Sequence, residues 1–204
     1  VSLTVGSGKG KSGKDLILAM VVGIECCSRI ALLMGAPHMR RGFYSDGTIG
    51  AIGSAIAVGK LFDLDKDTLS GAIGNAALLA PCTVGGNSMF RSAARPLTMG
   101  LASASSILAV TMAQAGILGP VNILECPGGF FHALADITDL SQITETLGKE
   151  WETLKYYNKP FVGCRLTHLA RQSAQILKEK NNIMVDDIEQ VTIRQAKSSL
   201  IVVG

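Results

Sequence analysis

Apolar residues recur at helical spacing through the first half of the chain. Ser12 stands ahead of Gly13-Lys14-Asp15 and a long apolar run, a side-chain cap followed by a buried face, which predicts a helix over about residues 13–31. Gly35-Ala36-Pro37 closes that helical region. A second helical run to about residue 61 carries Gly47, Gly50 and Gly53 at every third position. Glycine weakens an isolated helix, so three of them on one face predict another helix pressed against it. Leu64-Asp65-Lys66-Asp67-Thr68 is a polar helix start, leading into a small-residue helix that stops near Pro81. Gly85, Gly86, Asn87 and Ser88 then form a loop. The next helix runs over about 97–115 and ends at Gly116, with Gly119-Pro120 just beyond.

Around Glu125 the pattern changes. Gly128-Gly129-Phe130-Phe131 reads as a turn, 139–148 as a short charged helix, 159–165 as irregular chain and 167–180 as an amphipathic helix. Ile188, Val191 and Ile193 then move toward strand-like alternation. The expected fold is mainly α: a helical domain over 1–125, followed by part of a smaller α+β domain over 126–204. The last residues, Leu200-Ile201-Val202-Val203-Gly204, form an apolar run, which suggests that the second domain is incomplete.

Composition adjusts this picture in a few places. The apolar share of 48% is ordinary for a globular chain, whereas aromatics are only 5%. Abundant Gly, Ala and Ser point to helices with closely approaching backbones. A net charge of +3 with scattered Lys and Arg does not make the dense basic stripe of a nucleic-acid binder. Five cysteines without a Cys-x-x-Cys pair argue for reduced thiols rather than a disulfide framework or zinc ribbon. With no signal-peptide pattern at the start, a cytoplasmic location is the expectation. The stretch 96–124 has no charged residue and could span a bilayer by length. Its Ser, Thr, Gln and Asn residues and the Gly119-Pro120 break favour a buried helix of a soluble domain instead.

Two chemical motifs fail on inspection. The segment Val5-Gly6-Ser7-Gly8-Lys9-Gly10-Lys11-Ser12 invites a phosphate-binding loop, because glycine amides and a lysine at a helix start cradle phosphates. The register misses, however: Val5 stands where the first glycine belongs. Nucleotide binding is therefore a third-rank reading. His38, His132 and His168 are far apart and none has ligand spacing to another His, Cys or carboxylate, so no metal site is expected.

Several segments, taken in order, resemble the MmgE/PrpD family, whose members include 2-methylcitrate dehydratases. They are Gly13-Lys14-Asp15-Leu16 with Ala19 and Gly23-Ile24-Glu25; Gly42-Phe43-Tyr44-Ser45-Asp46-Gly47-Thr48 with Gly50; Gly59-Lys60-Leu61 through Ala72-Ile73-Gly74-Asn75-Ala76; Ala115-Gly116-Ile117-Leu118-Gly119-Pro120 with Gly128-Gly129-Phe130; and Lys159-Pro160-Phe161 with Cys164-Arg165 and His168. The resemblance covers nearly the whole chain, and its weight lies in the order and spacing of motifs that are individually weak.

That resemblance implies a helical domain, a smaller α+β domain and an active site in the cleft between them. It implies lyase chemistry without metal or organic cofactor: 2-methylcitrate dehydration, cis-aconitate decarboxylation or a related epimerisation, each moving a proton next to a carboxylate. Such chemistry needs a placed acid or base and cations that hold carboxylates. By position, Tyr44 stands where the family usually has His, Arg95 where it has Lys and Thr98 where it has a second His. Lys159, Arg165 and His168 are retained, and Gln172 replaces an Asp. The resemblance assigns catalysis to His168, Tyr44 and Arg95, and substrate binding to Lys159, Arg165 and Thr98. Arg95 can clamp a carboxylate but does not lend a proton as Lys does. Tyr44, with an ordinary pKa near 10, is a poor base at neutral pH. Family members are roughly twice as long and dimerise through the helical domain, so a homodimer binding a small carboxylate is expected. The competing reading is a catalytically inactive fragment or paralogue serving as a dimerising scaffold.

Overall fold

The capping signals of the sequence become helix ends in the computed structural model, which describes residues 1–80 and 92–196. A short α1 (Ser2–Gly8) leads into α2 (Gly13–Arg40). At the start of α2, Ser12 Oγ accepts from the Asp15 amide at 3.2 Å and Asp15 Oδ2 accepts from the Ser12 amide at 3.1 Å. Two otherwise orphaned donors are thereby satisfied reciprocally. The helix continues past residue 31 and breaks only at Gly35 (φ 42°, ψ −138°), after which one more turn holds Pro37 and His38. Gly35 takes the left-handed conformation that the turn needs and that other residues adopt only with strain.

α3 (Ser45–Leu61) follows and is the centre of the fold, packed by α1, α2, α4 and α5. α4 (Lys66–Leu78) starts at Asp65, whose Oδ1 accepts from the Asp67 and Thr68 amides at 3.0 and 2.9 Å. α5 (Leu97–Gln114) lays Ala102, Ala109, Val110 and Ala113 into the core and stops before Gly116 (φ 84°). Of the three periodic glycines, Gly53 makes the closest approach. A Cβ there would lie 2.0 Å from Cys27 Sγ and 2.8 Å from the Gly23 carbonyl, so α2 and α3 touch through their backbones. A Cβ on Gly50 would meet Ala102 of α5 at an ordinary 3.8 Å, so these glycines serve different neighbours.

The change of composition at Glu125 falls inside the first of two compact units, Val1–Lys155. α6 (Phe130–Ala135) buries Phe130 and Phe131 against Ile30, Met34 and Ile52 of the same cluster. Where a longer charged helix was expected, α7 (Ser141–Thr144) is a single turn. Residues 143–153 are fastened to α2 by Glu25 and Arg29, which are both buried. The second unit runs from Tyr156 onward. It contains α8 (His168–Asn181), while 188–196 form neither helix nor strand, so the expected α+β part is not shown. The loop at 85–88, Pro81 and the apolar run at 200–204 lie outside the described residues.

Two further expectations meet the structure here. The segment before the lysine-rich turn is helix α1, not the strand that a phosphate-binding loop requires. Lys11 pairs with Asp63, and Lys9 Nζ sits 4.0 Å above the Phe62 ring. Among the described residues, α2 and α5 are both long and apolar enough to cross a membrane by length and composition. Within the first unit, α2 holds the buried Glu25–Arg29 pair and α5 packs on α3 and α4.

Candidate functional site

The turn between α2 and α3 delivers the first site residue. Gly42 (φ 85°) lets the chain reverse, and the Phe43 amide donates back to the His38 carbonyl at 3.3 Å. Tyr44 is then extended (φ −117°, ψ 120°) and acts as the N-cap of α3. Its carbonyl accepts from the Gly47 and Thr48 amides, both at 3.1 Å, and from Thr48 Oγ1 at 3.1 Å. Three donors on one carbonyl fix the main chain from which the phenol extends.

A second turn, just ahead of α5, brings Arg95 to the same place. Arg95 Nη2 donates to Tyr44 Oη at 3.3 Å. Thr98 is buried in the first turn of α5, and its Oγ1 donates to the Arg95 carbonyl at 3.0 Å. Two of the six expected site residues, Tyr44 and Arg95, are therefore joined across more than fifty positions in sequence, and a third, Thr98, holds the Arg95 main chain three residues on. Arg95 is solvent-exposed and Tyr44 half-buried, so the pair is reachable. Burial pushes the Tyr44 phenol above its ordinary range. The Arg95 hydrogen bond opposes that rise and the nearby Asp46 charge adds to it. A phenol in this state keeps its proton at neutral pH, which makes it a donor and not a base.

Sequence reasoning missed the support behind this pair. His38 Nε2 lies 3.0 Å from Thr48 Oγ1, and the imidazole stacks on Phe43 at 5.7 Å between centroids. Nothing in the spacing of positions 38 and 48 signals that contact, because it depends on the break at Gly35 and the turn at Gly42.

The other three expected residues lie in the second unit. His168 opens α8, is buried, and has Phe161 edge-on at 5.6 Å; its Nε2 has no hydrogen-bond partner among the described residues. The Arg165 guanidinium lies 4.5 Å over the Tyr157 ring, a cation–π contact. Lys159 Nζ donates to the Gly163 carbonyl at 3.3 Å. Arg165 and His168 line a cavity of about 750 Å³ together with Leu166, Leu177, Val191 and Ile193. Gln172 is exposed on α8.

The helical unit, with a capped apolar α2 crossing a glycine-rich α3, defines a protein built around an all-α domain. The MmgE/PrpD N-terminal domain model matches residues 2–143, and the chain belongs to the MmgE/PrpD family. Curated relatives include a cis-aconitate decarboxylase of Aspergillus terreus (strain NIH 2624 / FGSC A1156), 25% identical over 94% of this chain and 41% of the relative. A second cis-aconitate decarboxylase of Aspergillus terreus is 28% identical over 79% of this chain and 34% of its own length. The cis-aconitate decarboxylase-like protein oryM of Aspergillus oryzae is 28% identical over 70% of this chain and 31% of its own length. The chain thus spans less than half the length of these relatives.

Proposed function

We propose that the chain acts in a cofactor-free lyase on a small tricarboxylic acid, by proton transfer next to a carboxylate. The observation that carries the reading is the Arg95–Tyr44 hydrogen bond, a fixed cation beside a protonated phenol. Arg95 presents a planar fork of N–H donors suited to one substrate carboxylate. When cis-aconitate loses carbon dioxide, the electrons of the broken carbon–carbon bond stay on the substrate as negative charge. Arg95 stabilises that charge, and Tyr44 delivers its proton to the carbon and is reprotonated from solvent; dehydration needs in addition a separate base that takes the proton from the neighbouring carbon while Tyr44 protonates the leaving hydroxyl. Thr98 holds the Arg95 backbone in register. By family position Lys159 and Arg165 are candidate carboxylate-binding residues and His168 a candidate for proton transfer, each described within the second unit by itself. The decarboxylase relatives favour cis-aconitate over 2-methylcitrate as the first substrate to test.

Titration of cis-aconitate or citrate into the chain at millimolar concentration, followed by backbone chemical shifts, tests the binding part. Shifts at Arg95 and Tyr44 that disappear in Arg95→Gln support the reading. Absence of any shift in the folded wild type refutes it.

A second reading is a non-catalytic scaffold that dimerises through the helical unit. It is favoured by the exposed apolar side chains Ile17, Leu18 and Met20 on α2 and Leu97, Leu101 and Leu108 on α5, more than a lone surface leucine would explain. Light scattering tests the dimer: a monomeric mass rules it out, whereas a dimeric mass that falls on Leu101→Glu supports association through α5. Turnover of substrate by the chain excludes the purely structural reading.

A further inference from the structure

We infer that His38 is a positioning residue of the Tyr44 centre, aligning the phenol with Arg95 through a hydrogen-bonded relay across Thr48. The inference rests on the reading that Tyr44 and Arg95 meet substrate. His38 occupies the turn of α2 beyond the break at Gly35 and is 1% exposed, so it never meets solvent or substrate directly. The one described polar partner of its ring is the Thr48 hydroxyl, 3.0 Å from Nε2.

The direction of the relay follows from counting protons. Thr48 Oγ1 carries a single hydrogen and also lies 3.1 Å from the Tyr44 carbonyl oxygen, an atom that only accepts. The hydroxyl hydrogen therefore goes to Tyr44. The contact with His38 must then be a donation from the imidazole Nε2–H to the hydroxyl oxygen. This fixes the tautomer of His38 and turns the hydroxyl toward Tyr44. Burial lowers the His38 pKa and favours the neutral ring that carries this proton. The Phe43 ring stacks on the imidazole, at 27° between planes, and holds it in that orientation. Together the two contacts brace residues 43 and 44, the last residues before α3, through the Phe43 ring and the Tyr44 carbonyl. The phenol of that same Tyr44 accepts from Arg95 Nη2.

The relay predicts an effect on the proton-donating group with little effect on the carboxylate clamp. Its loss, equivalent to one neutral hydrogen bond, lowers kcat by about three- to tenfold and leaves KM within about twofold. Arg95→Gln, by contrast, raises KM as well as abolishing turnover. The donor is tested by His38→Gln, whose side-chain amide can still donate at this reach, and by His38→Leu, which fills the space without a donor. Thr48→Val removes the hydroxyl at nearly constant shape and serves if His38→Leu does not fold.

The readout that does not need turnover is the Tyr44 ring carbon resonance. The chain has 3 tyrosines, and Tyr44→Phe identifies this one. The expected result is a displaced Tyr44 signal and an altered Tyr44 titration in His38→Leu and Thr48→Val, with His38→Gln close to wild type and the Tyr156 and Tyr157 signals unmoved. A Tyr44 signal unchanged in both donor-free variants overturns the inference, as does an equal displacement in His38→Gln and His38→Leu. Absence of wild-type turnover with the resonance pattern as expected refutes the lyase reading and leaves the relay standing.

Discussion

Replacing Arg29 with Met should detach residues 143–153 from the helical unit. Arg29 is 5% exposed and all five of its N–H donors are engaged. Nε donates to Glu25 Oε1 at 2.7 Å. Nη1 donates to the Ile143 carbonyl at 3.0 Å and Thr146 Oγ1 at 3.1 Å. Nη2 donates to the Thr146 and Glu150 carbonyls at 3.4 and 2.6 Å. Glu25, 3% exposed, accepts in addition from the Glu152 and Thr153 amides at 3.1 and 3.0 Å and from Thr153 Oγ1 at 3.1 Å. Methionine keeps the apolar stem but leaves Glu25 without a counter-charge and three carbonyls without a donor. Removing one partner of a buried pair costs about 3–5 kcal/mol. Set against a total of about 5–15 kcal/mol for a domain, that is a large share. At about 2–4 °C per kcal/mol for a chain of this size, Tm falls by about 6–20 °C. Urea unfolding followed by circular dichroism gives the free energy, and hydrogen exchange at 143–155 locates it. A loss below about 1 kcal/mol, or unchanged protection of 143–155, refutes the reasoning.

The same pair sets a pH dependence. Burial raises the Glu25 pKa, but the hydrogen bonds from Thr153, Glu152 and Arg29 outweigh it and hold the carboxyl below its ordinary value. A folded pKa below the unfolded one means that the unfolded state binds the proton more tightly. The stabilisation is therefore complete above the ordinary glutamate range and fades as pH falls through the lower folded value. Glu25→Gln should flatten that acid limb.

Other predictions concern packing and chemistry. Gly53→Ala places a methyl on Cys27 Sγ and the Gly23 carbonyl, and should destabilise by about 1–3 kcal/mol or more, read by urea titration. Burial, with a smaller contribution from Cys26, pushes the Cys27 thiol up to about 11. Iodoacetamide at pH 8 should therefore leave Cys27 unmodified while Cys126 and Cys164 react, as peptide mass mapping will show. Tyr44→Phe removes the proton donor together with the oxygen to which Arg95 Nη2 donates, but keeps the guanidinium charge, so tricarboxylate binding should persist within about threefold while turnover is lost.

Much of the helical unit was legible because its signals are local. The Ser12 and Asp65 caps and the Gly116 stop each act within one turn, and the structure reproduces those ends. The extension of α2 beyond Gly35 was not legible, since a proline usually closes a helix and here sits in a restarted turn. The attachment of 143–153 to α2 escaped as well, because Glu25 and Arg29 look like an ordinary i, i+4 surface pair until their partners more than a hundred residues away are known. For the site, order and spacing of family motifs pointed to Tyr44, Arg95, Thr98, Lys159, Arg165 and His168; of these, Tyr44 and Arg95 share a hydrogen bond and Thr98 bonds the Arg95 carbonyl. The His38–Thr48 support is a tertiary contact between a kinked helix and its successor, and no one-dimensional pattern encodes it.

The most direct test of the account is turnover. Purified chain is incubated with cis-aconitate, and in parallel with 2-methylcitrate, and the unsaturated tricarboxylate is followed by ultraviolet absorbance. The account predicts consumption of cis-aconitate or appearance of the dehydrated acid, lost in Arg95→Gln and in Tyr44→Phe. A demonstrably folded chain that leaves both acids unchanged, or activity undiminished in the two variants, contradicts the assignment of Arg95 and Tyr44 as the reacting centre.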